Sequence, residues 1–244
     1  MRLNTGMSRT SLERSLKRHL QLHRPQLNTM DSDGRTPLSY AAGLNSLEAV
    51  RLLISAGADP NLASEAKGYG GFTPLLCAAS RGHENTVSVL IDNGANVRSK
   101  DREGRNALTH ASECGSRAVT RLLLDRGADP NAKDLSQRTP LFYAAAAGSK
   151  SVVTLLLEQG VQVNLKDRNG ETPLLLAAKA GSDSLISALI AGGADVNAQV
   201  WQGDTPLSRA VGAGLESAVE LLLKSGAEVD CFPSDDFPLH RALQ

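Results

Sequence analysis

DRNGETPLLLAAKAGSDSLISALIAGGADVNAQV, residues 167–200, decides how the chain folds. Thr172 precedes Pro173, and the two start a helix. The threonine hydroxyl accepts from an unpaired first-turn amide, and proline suits the first helical position, where its missing N–H has no partner to lose. Leu174 and the pair Ala177-Ala178 follow, giving a short helix whose small side chains let a neighbour approach closely. Gly181 stops it, as a left-handed residue just beyond a helix does. A second helix runs through Leu185–Ile190 and stops at Gly193 in the same way. A polar, turn-rich stretch leads to the next threonine.

Working outward, the same columns recur in phase. Thr-Pro-Leu stands at 36–38, 73–75, 139–141, 172–174 and 205–207. Asn106-Ala107-Leu108 and Phe237-Pro238-Leu239 occupy the two remaining places. The steps are 37, 33, 33, 33, 33 and 32 residues. Ala-Ala pairs recur at 41–42, 78–79 and 144–145. Gly82, Gly115, Gly148 and Gly214 match Gly181, with Asn45 in the first unit. Gly57, Gly94, Gly127, Gly160 and Gly226 match Gly193. A self-similar period of this length marks a repeat array, in which each helix pair buries its apolar face only against its neighbours.

These columns resemble the ankyrin repeat, with its Gly-x-Thr-Pro-Leu opening, its Ala-Ala pair and its Gly-Ala-Asp-x-Asn close. The resemblance spans roughly residues 31–244. It implies an all-α fold, a solenoid of stacked helix–turn–helix units with projecting β-turns. The histidine that follows Thr-Pro-Leu in the family is replaced by Ser39, Leu76, Thr109, Phe142, Leu175 and Ser208, and is retained as His240. Gln137 stands where the turn glycine is expected, and Val200 where the turn aspartate is expected.

The expected organisation is a capping helix or degenerate repeat over 1–30, then six repeats over 31–67, 68–100, 101–133, 134–166, 167–199 and 200–232. A partial terminal repeat covers 233–244. The second repeat is preceded by a four-residue insertion within Leu62–Phe72, LASEAKGYGGF. Insertions in repeat proteins map to loops, either on a binding face or as tolerated surface. Leu12, Leu16 and Leu20 form one apolar stripe of an N-terminal helix, read as a cap or as an amphipathic targeting segment. The last unit stops inside its first helix, so it is either a minimal cap or the point where a longer protein was cut.

Net charge is zero, with 26 basic and 26 acidic residues, which lends no support to nucleic-acid binding by the whole chain. Residues 1–24 nevertheless carry +5 and the remainder −5. No apolar run approaches the roughly 20 residues of a membrane helix. The three cysteines are isolated and form no CxxC pair, which fits a reducing compartment, and an intracellular location in the cytoplasm or nucleus is expected.

The residues point away from chemistry. His19 and His23 share a helix face at i, i+4 spacing, but no HExxH frames them and no acid or thiol completes a ligand set. Gly68-Tyr69-Gly70-Gly71 lacks the Lys-Ser/Thr of a phosphate loop. Nothing adjacent activates Cys114 except Arg117. No catalytic, cofactor-binding or metal-binding residue is assigned, and no cofactor.

The resemblance implies that partners bind the turn tips and the concave face of the first helices. Carried over by position, that surface offers Arg35, Tyr69, Phe72, Arg81, Arg102, Arg105, Arg138, Arg168, Lys179 and Trp201. Arginine with tyrosine and tryptophan is the composition of interface hot spots. Trp201, the only tryptophan, is either a partner anchor or folded over its own turn. The expected function is a non-enzymatic scaffold or adaptor for a protein partner, acting as a monomer. The alternative is the ankyrin portion of a larger enzyme or regulatory protein.

Overall fold

A computed structural model describes residues 27–65, 70–200 and 203–229. The calls on residues 1–26 and 230–244, on Tyr69 and on Trp201 therefore lie outside the described residues. Two compact units divide at Asp129–Pro130.

The first unit holds three helix pairs: α1 (Pro37–Gly43) with α2 (Leu47–Ser55), α3 (Pro74–Ala79) with α4 (Glu84–Asp92), and α5 (Ala107–Glu113) with α6 (Arg117–Asp125). First helices stack on first helices, α1 on α3 and α3 on α5, and second helices stack likewise. The reason lies in the columns. Leu38, Leu75 and Leu108 form one buried row, Leu53, Leu90 and Leu123 another, and the alanine pairs fill the narrow space between. Each fully buried leucine contributes roughly 1.5–3 kcal/mol.

The second unit repeats the plan with α7 (Pro140–Ala146), α8 (Lys150–Glu158), α9 (Pro173–Ala180), α10 (Asp183–Ala191), α11 (Pro206–Gly212) and α12 (Glu216–Lys224). Leu141, Leu174 and Leu207 line up, as do Leu156, Leu189 and Leu222. The all-α expectation holds: the described residues carry helices and a single isolated β-bridge, Lys100 to Asn106.

The capping chemistry is largely as read. Thr36, Thr73, Thr172 and Thr205 accept from the amide three residues on, and Asn106 does so in the third pair. Ser208, in a place where the family has histidine, completes a capping box with Thr205. Thr139 is the exception and makes no side-chain cap bond. Asn45 and Gln137 take φ of 54° and 65°, so both adopt the left-handed conformation of the glycines they replace.

A ladder of asparagines closes the opposite end of each pair. Asn164 Oδ1 accepts from the Asp195 amide, and its Nδ2 donates to Gly193 O. Asn61 makes the same two bonds to Asn96 and Gly94, and Asn197 to Glu228 and Gly226. Arg98 interrupts the column, standing where the others have asparagine.

Candidate partner-binding surface

Each projecting turn is built on one residue. Asp101 N donates to Arg105 O, and Asp101 Oδ1 accepts from the amides of Glu103 and Arg105. Asp31, Asp134 and Asp167 make the same three bonds with their own turns. One carboxylate oxygen thus satisfies two amides that the tight turn would leave bare. Val200 lacks a carboxylate, yet its backbone still closes on Asp204.

The insertion uses the same closure. Ser64 N donates to Phe72 O, eight residues on instead of four, so Ser64 holds the aspartate place and Phe72 the place before the threonine. The feet of the loop are tied on both sides. Glu65 N and Ser64 Oγ donate to Gly34 O, and Arg102 N donates to Gly70 O. Gly71 has φ 84°, and a Cβ there would lie 2.9 Å from the Arg102 nitrogen and 3.0 Å from Asp101 Cα. Only glycine fits.

The second carboxylate oxygen distinguishes the turns. Asp31 takes Arg35, whose guanidinium also pairs with Asp33 and lies 5.1 Å from the Tyr40 ring centre. Asp101, with no side-chain exposure, accepts from Arg105 Nε and lies within hydrogen-bond distance of His110 Nε2, both at 2.9 Å. Glu113 faces the other side of this group, 3.8 Å from Arg105 and 3.9 Å from His110 Nδ1. Burial alone would raise the Asp101 pKa. The His110 hydrogen bond, the Arg105 amide and the Arg105 charge outweigh it and hold the carboxyl below its ordinary value. In the second unit the Tyr143 hydroxyl donates to Asp134 at 2.6 Å, while Arg138 Nε reaches Asp167 in the following turn at 3.1 Å. Arg209 grips Glu171 through two bonds, at 2.7 and 2.8 Å, with Asp204 3.6 Å away.

The residues expected to meet a partner therefore separate. Phe72 is corrected: it is 5% exposed and packs on the His110 ring with centres 4.7 Å apart. The place before the threonine points back to the following helix pair, and an aromatic ring there joins the core. Arg35, Arg105 and Arg138 are part-exposed, each with its charge engaged by turn carboxylates. Arg81 is exposed but donates to Gly43 O at 2.8 Å, beside His83, so both help cap the end of α1. Arg102, Arg168 and Lys179 are exposed. Leu135, one of the turn-tip residues, is 59% exposed.

The sequence reading missed the Asp101–His110 and Asp134–Tyr143 pairs. The signal was present, since His110 and Tyr143 each follow the turn aspartate by nine residues. Neither thiol among the described residues is activated. Burial pushes Cys77 up to about 12 despite the nearby charges of Arg81 and Arg35, and burial raises Cys114 as well. Among the described residues there is no cluster of three or more metal-binding side chains, and no helix is long and apolar enough to cross a membrane.

Comparison with known proteins agrees with this geometry. Models of ankyrin repeats match residues 33–65, 62–134, 94–167 and 141–233. The crystal structure of the ankyrin repeat domain of Bcl-3, described as a unique member of the IkappaB protein family, is 32% identical. It superposes with a TM-score of 0.71 over 86% of this chain and 94% of that one. Ankyrin repeat domain-containing protein 63 of Homo sapiens is 34% identical over 46% of this chain and 31% of its own length. Protein phosphatase 1 regulatory subunit 12A of Mus musculus is 38% identical over 33% of this chain and 7% of its own length. This chain thus spans under a third of both full-length relatives. Its repeat columns, its stacked helix pairs and these matches make the chain a member of the ankyrin repeat family.

Proposed function

We propose that the chain is a non-enzymatic scaffold or adaptor that binds a protein partner through its turn tips and first-helix face. One observation carries the reading. The turns project from the helix pairs, and their amides and carboxylates are bonded internally. The backbones that carry Arg102, Arg168 and the exposed Leu135 are therefore held in fixed places, so presenting these tips to a partner costs little entropy. A repeat supplies such a scaffold and leaves the ligand to its variable positions. Tyr69 and Trp201 belong to this proposal by their place in the repeat. An intracellular site of action, in the cytoplasm or nucleus, goes with it.

A second reading is that the array is the ankyrin portion of a larger regulatory protein or enzyme, whose catalytic part lies elsewhere. The small share of the full-length relatives that it matches favours this. Affinity capture with the intact chain, against a variant carrying Arg102→Glu, Leu135→Ser and Lys179→Glu, tests the binding function. A protein enriched only by the intact chain supports it. Equal recovery by both removes the assigned surface.

A further inference from the structure

In the first unit the charges of two arginines, Arg35 and Arg81, both reach the Cys77 side chain, and they differ in what balances them. Arg35 is answered by Asp31 and Asp33. Arg81 is exposed and makes no ion pair with a described residue. Its Nη1 donates to Gly43 O at 2.8 Å, with His83 Nε2 3.1 Å from the same oxygen. Its planar group lies over Gly43, with Cζ, Nη1 and Nε at 3.7, 3.8 and 3.9 Å from where a Cβ there would stand. A carbonyl holds the arginine in place without cancelling its charge. Nε and Nη2 bond to no described residue, so the donors along one edge of the fork remain open. The Gly43 carbonyl belongs to the peptide bond that leads into Leu44, so the guanidinium sits beside the backbone carrying a leucine that is 41% exposed. Neither α1 nor α3 contains an acid. Glu113, the acid of the next first helix, lies 3.8 Å from Arg105 and 3.9 Å from His110.

We infer that Arg81 and Leu44 form a receptor for an acidic residue of a protein partner. A glutamate or aspartate carboxylate takes the open edge of Arg81 through two parallel bonds, and an aliphatic neighbour of that acid rests on Leu44. The inference rests on the protein-binding reading above and adds the partner's chemistry. The planar fork matches a carboxylate in geometry as well as charge. Gly43 O already fixes the guanidinium, so little side-chain freedom is lost when the acid arrives. The first helices on either side of Leu44 and Arg81 bring no acid of their own to compete.

The experiment titrates the full chain with two fluorescent peptides of equal length, one alternating leucine with glutamate and the other leucine with glutamine. Glutamine keeps the shape of glutamate and removes its charge. The glutamate peptide should bind about tenfold tighter than the glutamine peptide. Arg81→Met should erase that ratio. Arg81→Lys keeps the charge but not the fork, and should retain a ratio of only about threefold. Leu44→Ser should weaken both peptides and leave their ratio intact. Arg102→Gln, at an exposed turn-tip arginine, should leave the ratio unchanged. A purely structural role for Arg81 as the cap of α1 would lower the melting temperature of Arg81→Met without moving the ratio. Titrations are run below the melting transition of each variant, and Arg81→Lys keeps the test decisive if Arg81→Met does not fold. Equal affinity for the two peptides, binding of neither, a full ratio in Arg81→Met or Arg81→Lys, or an equal loss in Arg102→Gln each overturns the inference. If the peptides fail while affinity capture still enriches a protein with the intact chain alone, the partner's chemistry is wrong and the binding function stands; if both fail, both readings fall.

Discussion

The two units tie down similar turns with different partners. In the first, the ion pairs of Asp31 and Asp101 are local: Arg35 and Arg105 lie four residues on, and His110 comes from the helix that follows. In the second, only Asp134 is served locally, by Tyr143. Asp167 is served by Arg138 of the preceding turn, and Glu171 by Arg209 of the following helix pair. At the turns, the first unit pairs its charges within a repeat and the second pairs them mostly between repeats, although away from the turns Arg126 of the first unit also reaches Asp92 of the preceding repeat. In an array stabilised by intrinsic and neighbour terms, the first arrangement strengthens single repeats and the second strengthens the interfaces between them.

The largest test of this contrast is Asp101→Ala. It removes the acceptor of two amides, a guanidinium and a buried imidazole, and should cost about 3–5 kcal/mol in urea unfolding. Its pH dependence sharpens the point. The folded Asp101 carboxyl is held below the ordinary value of 3.8, so its contribution is complete above that value and is lost as pH falls through the lower folded one. The parent should therefore lose stability in acid more steeply than Asp101→Asn.

Arg209→Gln comes next. It leaves Glu171 part-buried without its bidentate partner and should cost about 1–3 kcal/mol. Because this pair joins neighbouring repeats, hydrogen exchange should rise in both α9 and α11. A rise confined to α11 would contradict the assignment of the pair to the interface.

Arg138→Gln should cost about 1 kcal/mol, since its guanidinium is part-exposed but its acceptor is buried. Arg35→Gln, in a turn open to water on both partners, should stay within about 0.5 kcal/mol in thermal melts. A larger loss from Arg35→Gln than from Arg138→Gln would break the comparison between local and interface pairs.

The helices were legible because their signals are local. Thr-Pro, the alanine pair and a glycine lie within ten residues of one another, and even the left-handed Gln137 was marked by its place in the glycine column. The candidate surface was less so. Position shows that Arg102 and Arg138 lie near turns. It does not show that one lies over Gly70 of the preceding loop while the other reaches Asp167 of the following turn, because both depend on residues about a repeat away. Phe72 misled for a related reason. The insertion suggested an exposed aromatic, but its backbone bond to Ser64 places it in the column of Arg105 and Arg138, with the His110 ring beneath it. A column alignment with four residues removed would have shown the equivalence.

The asparagine ladder has a further consequence. Asn164 and Asn197 each reach a glycine carbonyl 29 residues ahead, and Asn61 makes the same bond across 33. The four extra residues leave the rung intact because they leave and rejoin the chain at the turn, at the other end of the repeat. The ladder acts as a length gauge that measures one end of each repeat and ignores the other. Such a gauge lets the turns lengthen and vary while the helices keep their register. It also sets where this chain can acquire new recognition loops: additions between a turn aspartate and its threonine escape the gauge, and additions inside a helix do not.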